Sequence, residues 1–233
     1  MNTANPAGRI EGMSLRQAAL TAGIAYLLMP VSFAEFYIFP RLLVAGDAAQ
    51  TAQNIAAHGQ LFFIAVLCHF ITLLLDIVIA WALYVLLAPV NRALSLFTAW
   101  LRLAYAAIGL AGVDKLLAAL RAVNTPYYHT LLGEQQLQAQ VMLWIGEFRH
   151  SLNLGLFGIH LILLGYLIFR SGYIPRLLGV ILAIVGAGWV TFVVQPYLFP
   201  NVSVSCIVYI GAAELLLPLW LVIRGWKIRE PGH

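Results

Sequence analysis

The sequence predicts an all-α fold: a polytopic transmembrane helical bundle of six spanning helices, with amphipathic helices on its outer surface. Three observations predict it. The 233 residues are 62% hydrophobic and only 9% charged, where a soluble domain carries about 25% charged residues. Six stretches are apolar for about 20 residues, the length a helix needs to cross the hydrocarbon core. Lys and Arg gather at alternate ends of those stretches, as the positive-inside rule requires.

The six segments are residues 17–39, 61–87, 94–117, 151–169, 175–194 and 203–223. No linker or repeat divides them, so residues 17–226 read as a single transmembrane helical domain. Residues 1–16 and 227–233 read as cytoplasmic tails. The first segment lacks a small-residue cleavage site before its polar end and reads as a retained helix.

With the N-terminus inside, the inner loops and tails hold Arg9, Arg16, Arg92, Arg170, Arg176, Arg224, Lys227 and Arg229. The outer set is Arg41 and Arg121, with Lys115 near that edge. This bias places both termini in the cytoplasm and the chain in the inner membrane of a bacterium. Tyr173, Trp220 and Trp226 then fall at the inner interface. Tyr127, Tyr128, Trp144 and Tyr197 fall at the outer one, where amphipathic aromatics collect. The pI near 9.2 therefore reports topology, and no basic face or tail points to nucleic acid. Cys68 and Cys206 lie in apolar segments without a paired spacing, so they read as small buried hydrophobes.

Two outer connections carry helical signals. Asp47 with Gln50 three residues on forms a capping-box pattern, followed by an apolar stripe of Ala48, Ala52, Ile55 and Ala56. Residues 134–150 place Leu137, Val141, Trp144 and Phe148 on one helical face. They carry too many polar groups to span. In the fifth segment Gly179, Ala183 and Ala187 recur every four residues, with Gly186 and Gly188 nearby. Small residues at that spacing let helices approach closely, either within the chain or in a homodimer.

The chemistry-bearing residues lie inside the spans. An ionisable group at mid-membrane costs about 2.5–3.5 kcal/mol even on lenient scales, so it is usually paired and used. At 1.5 Å per residue, Asp76 lies roughly 16 Å from the inner end of its helix, Arg102 roughly 12 Å, His160 roughly 14 Å and Glu214 roughly 14 Å. Four helices therefore bring ionisable groups to one level. The short turn Pro89-Val90-Asn91-Arg92 makes the second and third spans antiparallel neighbours, which puts Asp76 within reach of a bidentate Arg102. Tyr105, one turn after Arg102, adds a hydroxyl. His160 beside carboxylates is a candidate proton carrier. Nearer the outside, Glu35, His69, Glu147 and His150 form a second set whose donor types suit zinc or a similar divalent metal.

Several runs carry a resemblance. Glu35 and Gly46-Asp47-Ala48-Ala49-Gln50-Thr51-Ala52-Gln53-Asn54-Ile55 form one. Asp76, Ala82-Leu83-Tyr84, Pro89-Val90-Asn91 and Arg102 form the next. Phe157-Gly158-Ile159-His160-Leu161, Gly165-Tyr166 and Arg170-Ser171-Gly172-Tyr173-Ile174-Pro175-Arg176-Leu177-Leu178-Gly179 complete it. Together they resemble the bacterial polytopic membrane family catalogued as domain of unknown function 4386, over nearly the whole chain after residue 16. The resemblance implies a compact bundle of six or seven helices, with Asp76, Arg102 and His160 at the family's recurrent polar positions. It implies no activity.

The chain has no Walker loop, Rossmann fingerprint, HExxH motif or nucleophile elbow, which argues against a nucleotide-driven pump or an ordinary serine hydrolase. Three functions remain. The first is an intramembrane enzyme or binding protein for a lipophilic small molecule, with Asp76, Arg102, His160, Glu214 and Tyr105 around the ligand. The second is a proton-coupled transporter using the same groups as a relay. The third is a non-catalytic membrane partner subunit. A lipid-accessible pocket, a water path or a tightly packed bundle would favour the first, second or third respectively.

Overall fold

A computed structural model describes residues 13–228 apart from 203 and 205. Arg9, Arg229 and most of both predicted tails lie outside the described residues. Every regular element among the described residues is helical.

In chain order the helices are α1 (Leu15–Leu27), α2 (Val31–Phe33), α3 (Phe39–Leu42), α4 (Ala48–Ala57), α5 (Gly59–Leu87), α6 (Arg92–Asn124), α7 (Pro126–Leu132), α8 (Glu134–Arg149), α9 (Asn153–Ser171), α10 (Arg176–Leu198), α11 (Cys206–Gly211) and α12 (Leu216–Arg224). Five helical stretches are long and apolar enough to cross a membrane: Leu15–Leu42, Gly59–Leu87, Arg92–Asn124, Glu134–Ser171 and Arg176–Leu198. The protein is membrane-embedded. Its burial pattern agrees, since α5 exposes Phe63, Leu67, Phe70, Leu74, Ile77 and Trp81 while it buries His69, Thr72 and Asp76.

Two predicted spans are interrupted, and proline explains both. In the first, Pro30 separates α1 from α2, and a π-helical turn over Ala34–Ile38 precedes α3. Pro40 has no amide hydrogen and crowds the carbonyl four residues back. Just ahead of it the Phe39 amide donates to the Ala34 carbonyl instead. The sixth predicted span is not one helix: a 3-10 turn over Ala212–Leu215 divides α11 from α12. Pro218 conflicts in the same way with the carbonyl of Glu214, inside that turn.

Caps set several other boundaries. Ser14 and Gln17 exchange hydrogen bonds in a full capping box at α1. Asp47 Oδ1 accepts from the Gln50 amide at 2.8 Å, but the Gln50 side chain donates to Asn54 Oδ1, so only half the expected box forms at α4. Asn91 caps α6 through the Leu94 amide at 2.9 Å. Gly172 ends α9 at φ +73°, a left-handed geometry that suits glycine.

The chain forms two compact units. Unit 1 draws on Met1–Leu28, Leu75–Tyr105 and Leu152–His233. Within it α9 and α10 pack antiparallel through glycine. A Cβ on Gly158 would meet the Gly186 carbonyl at 2.6 Å, and one on Gly179 would meet the Gly165 carbonyl at 2.5 Å. The small residues of α10 are thus used inside the chain, with Gly179, Ala183 and Gly186 as the contact set; Ala187 is exposed. α1 and α12 are also antiparallel. A Cβ on Gly23 would lie 2.8 Å from Val222, and one on Gly225 would lie 2.9 Å from Ala19. Arg16 Nε donates to the Ile228 carbonyl at 3.3 Å.

Unit 2 comprises Met29–Leu74 and Ala106–Ser151. Here α4 packs on α8. The buried face of α4 is Thr51, Ala52 and Ile55, while Ala56 is exposed. The hydroxyl of Thr51 explains the rotation: it accepts from the Val44 amide at 2.9 Å. On α8 the buried residues are Leu137, Val141 and Ile145.

Candidate functional site

The most heavily committed polar side chains lie in unit 1. Antiparallel α5 and α6 bring Asp76 to Arg102, and Ser95 Oγ donates to the Tyr84 carbonyl at 3.0 Å in the same register. Arg102 Nε and Nη2 both donate to Asp76 Oδ1, at 2.9 and 2.5 Å. The pair therefore converges on one oxygen and is not the fork-to-fork geometry expected. Arg102 Nη1 donates to the Tyr26 hydroxyl of α1 and to His160 Nε2 of α9, the latter at 3.1 Å. Four of the five guanidinium N–H donors are engaged. The planar cation also lies 4.6 Å from the Tyr26 ring centroid and 5.4 Å from that of Phe157. Arg102 is 1% exposed, Asp76 2% and His160 0%.

These contacts assign the imidazole tautomer. His160 Nδ1 lies 2.8 Å from the Thr98 carbonyl, which only accepts, so Nδ1 carries the hydrogen. Nε2 faces an N–H of Arg102, so it accepts. The ring is neutral and both nitrogens are in use. The immediate charged neighbour of His160 is the Arg102 cation, not the carboxylates that the proton-carrier reading set beside it. The crevice beside it, walled by Ala80, Leu83, Ser95, Thr98, Ala99 and Leu164 among others, leaves no volume for a water molecule.

Two expected members stand differently. Glu214 lies in the 3-10 turn and accepts from Trp189 Nε1 of α10 at 2.5 Å; none of its hydrogen bonds reaches Asp76, Arg102 or His160. The Tyr105 ring packs on Phe157, centroids 4.8 Å apart, and adds no hydrogen bond to Arg102. The sequence reading missed Tyr26, Thr98 and Trp189. Counting acceptors for the five donors of a buried arginine is the signal that calls for groups such as Tyr26.

The outer set falls in unit 2 and does not assemble as a metal site. Glu147 pairs with Lys115 at 2.6 Å. Glu35, on the π-helical turn, pairs with Arg149 at 3.1 Å and lies 3.4 Å from His69 Nε2. That last contact lacks hydrogen-bond geometry, and both His69 Nε2 and Thr72 Oγ1 are buried without a hydrogen bond. His69 lies between Phe39 and Phe148, at 5.5 and 4.9 Å. His150 Nδ1 faces the Gly146 carbonyl of its own helix at 3.2 Å. Among the described residues no group of three or more His, Cys, Asp or Glu side chains is placed to hold a metal ion. The physical reason is charge: Arg149 and Lys115 take the carboxylates a divalent ion would need.

The fold and this cluster define a helical integral membrane protein with a buried arginine–carboxylate–imidazole centre. The chain belongs to the family described as Domain of unknown function (DUF4386), whose model matches residues 21–225. It is 34% identical over 164 residues to an uncharacterized protein of Archaeoglobus fulgidus, a match that covers 69% of this chain and 83% of that protein. The sequence type is therefore not confined to bacteria. No solved structure matches the chain.

Proposed function

We propose that this is a non-catalytic integral membrane protein, a partner subunit, in which the Arg102 cluster fastens four helices. The observation that carries the reading is engagement: four of the five Arg102 donors and both His160 nitrogens are hydrogen-bonded. Arg102 ties α1, α5 and α9 to α6, both His160 nitrogens are occupied, and the adjoining crevice excludes water. A general acid or a proton relay needs a partner it can exchange with, and a bound ligand needs volume. The intramembrane enzyme and the proton-coupled transporter are supported less well by this geometry.

The test is access. In a Cys206→Ser background, cysteines at Ala99 and Leu164 should stay unreactive to a small water-soluble thiol reagent in the folded protein and react after unfolding. Labelling of the folded protein at either position would restore the relay or ligand-site reading.

The topology is part of the proposal. Both termini lie on the cytoplasmic side of a cytoplasmic membrane. The basic-residue bias supports this, and so does the antiparallel contact of α1 with α12, which puts Arg16 beside Ile228. The broken α11–α12 segment then makes the sixth crossing. Cysteines at Thr130 and Asn201 should label from outside intact cells; labelling only after permeabilisation would reverse the orientation.

A further inference from the structure

Unit 1 carries a charge imbalance that the Arg102 cluster does not absorb. Its described residues include Arg16, Arg92, Arg102, Arg170, Arg176, Arg224 and Lys227, against the carboxylates Asp76 and Glu214 alone. Asp76 is taken by Arg102, and Glu214 accepts from Trp189. Neither Arg224 nor Lys227 has an ion-pair partner among the described residues.

Those two cations line a cleft. It measures about 610 Å³ and is walled by Tyr173, Trp220, Arg224, Lys227 and Ile228. Small-molecule sites commonly measure about 300–1,000 Å³. Each wall has a distinct chemistry. Ile228 is buried and supplies an apolar floor. Tyr173 is fixed by donating its hydroxyl hydrogen to the Leu86 carbonyl at 2.5 Å, so its ring is a rigid wall. Trp220 adds a half-buried indole. Lys227 Nζ lies 4.9 Å from the Trp226 ring centroid, which positions the ammonium without neutralising it. Trp226 is itself anchored to the Ile223 carbonyl at 2.9 Å.

We infer that this cleft is a binding site for the headgroup of an anionic phospholipid. A phosphodiester accepts charge-assisted hydrogen bonds from a guanidinium and an ammonium. The glycerol and upper acyl carbons match the indole, the tyrosine ring and Ile228. Basic pockets at the cytoplasmic ends of spanning helices suit such lipids. Charge complementarity selects this occupant over a zwitterionic lipid, whose own cation would meet two more. The inference rests on the membrane-embedded fold; only its assignment to the cytoplasmic leaflet rests on the topology proposed above.

The experiment is native mass spectrometry of the full chain in detergent, titrated with phosphatidylglycerol or phosphatidylcholine. The wild type should retain phosphatidylglycerol preferentially. Each cation near a membrane surface contributes about a fivefold preference, so Arg224→Gln with Lys227→Gln should lower it about 25-fold, toward the phosphatidylcholine level. Arg92→Gln, at a cation that does not line the cleft, should leave it unchanged. An equal loss in Arg92→Gln would show diffuse attraction and overturn the site. Stabilisation by inorganic phosphate equal to that by the lipid, read as a melting shift, would overturn the lipid assignment in favour of a free anion. Melting curves of each variant without lipid separate lost binding from lost folding. A phosphatidylglycerol preference unchanged in the double variant would also overturn it.

Discussion

In unit 1 the Arg102 guanidinium is 1% exposed and faces a carboxylate, a phenol and an imidazole. In unit 2 the Lys115–Glu147 pair is about two-fifths exposed at each end. Both are ion pairs at short distance, yet the physics differs. Removing water from a charge costs several kcal/mol per ion, which mutual attraction recovers only with good geometry and further hydrogen bonds. Arg102 meets that condition by using four of its five donors. Lys115 and Glu147 keep solvent and are worth about 0–1 kcal/mol. The buried cluster is therefore better understood as a device that specifies which helices meet than as a source of net stability. Its fragility lies in losing one partner, not in losing the pair.

The largest expected effect follows from that fragility. Arg102→Met leaves Asp76 buried beside no cation, and it should cost about 3–5 kcal/mol in chemical unfolding of the detergent-solubilised protein. A cost near that of a surface substitution would put water at the site.

Glycine gives the next contrast, and here the two units should differ in sign. Gly158→Ala in unit 1 drives a methyl to 2.6 Å from the Gly186 carbonyl and 2.9 Å from the Val190 amide. It should destabilise by about 1–3 kcal/mol. Gly146→Ala in unit 2 meets nothing within 4 Å. Inside helix α8 it should be neutral or stabilise by about 0.5–1 kcal/mol. Parallel melting curves of both variants decide the matter, and loss of stability in Gly146→Ala would show that α8 is more tightly covered than the contrast allows.

His160→Phe keeps a ring but strands one Arg102 N–H, while the Thr98 carbonyl keeps its place in the α6 helical ladder. It should cost about 1–3 kcal/mol, the usual penalty for an orphaned buried group. The matching change in unit 2, Glu147→Gln, should cost less than about 1 kcal/mol and lose even that in high salt.

The smallest effect is a pH dependence in unit 2. His129 Nε2 faces the Val123 carbonyl at 3.2 Å and Nδ1 faces Glu134 at 3.1 Å. The carbonyl first, then the carboxylate, raises the histidine above its ordinary value. A raised folded-state value stabilises at low pH, fully below the unfolded value, and the gain is lost as pH rises through the folded value. His129→Gln should flatten this slope slightly; an unchanged pH profile would assign it to other groups.

The sequence made Asp76 and Arg102 legible as partners because helical rise and a short turn fix depth and neighbours without any side-chain detail. His160 was legible for the same reason, but its protonation was not, since depth says nothing about which charge sits closest. Tyr26 escaped notice because a tyrosine in an apolar segment carries no charge to flag it. Glu214 was read on an unbroken helix, and Pro218 turns that stretch into a 3-10 turn. The outer set failed on partner choice: the donor types fitted zinc, while the fold delivers Arg149 and Lys115 to the carboxylates. Half the Asp47 capping box survived because Gln50 found Asn54 on its own helix face.

The most direct measurement is a double-mutant cycle on Asp76→Ala and Arg102→Ala, read by reversible unfolding in detergent. A fastener predicts that the double variant is more stable than Arg102→Ala alone, with a coupling of about 1–3 kcal/mol. Losses that simply add would mean the two side chains do not depend on one another, and the buried cluster of unit 1 would not be what holds its helices together.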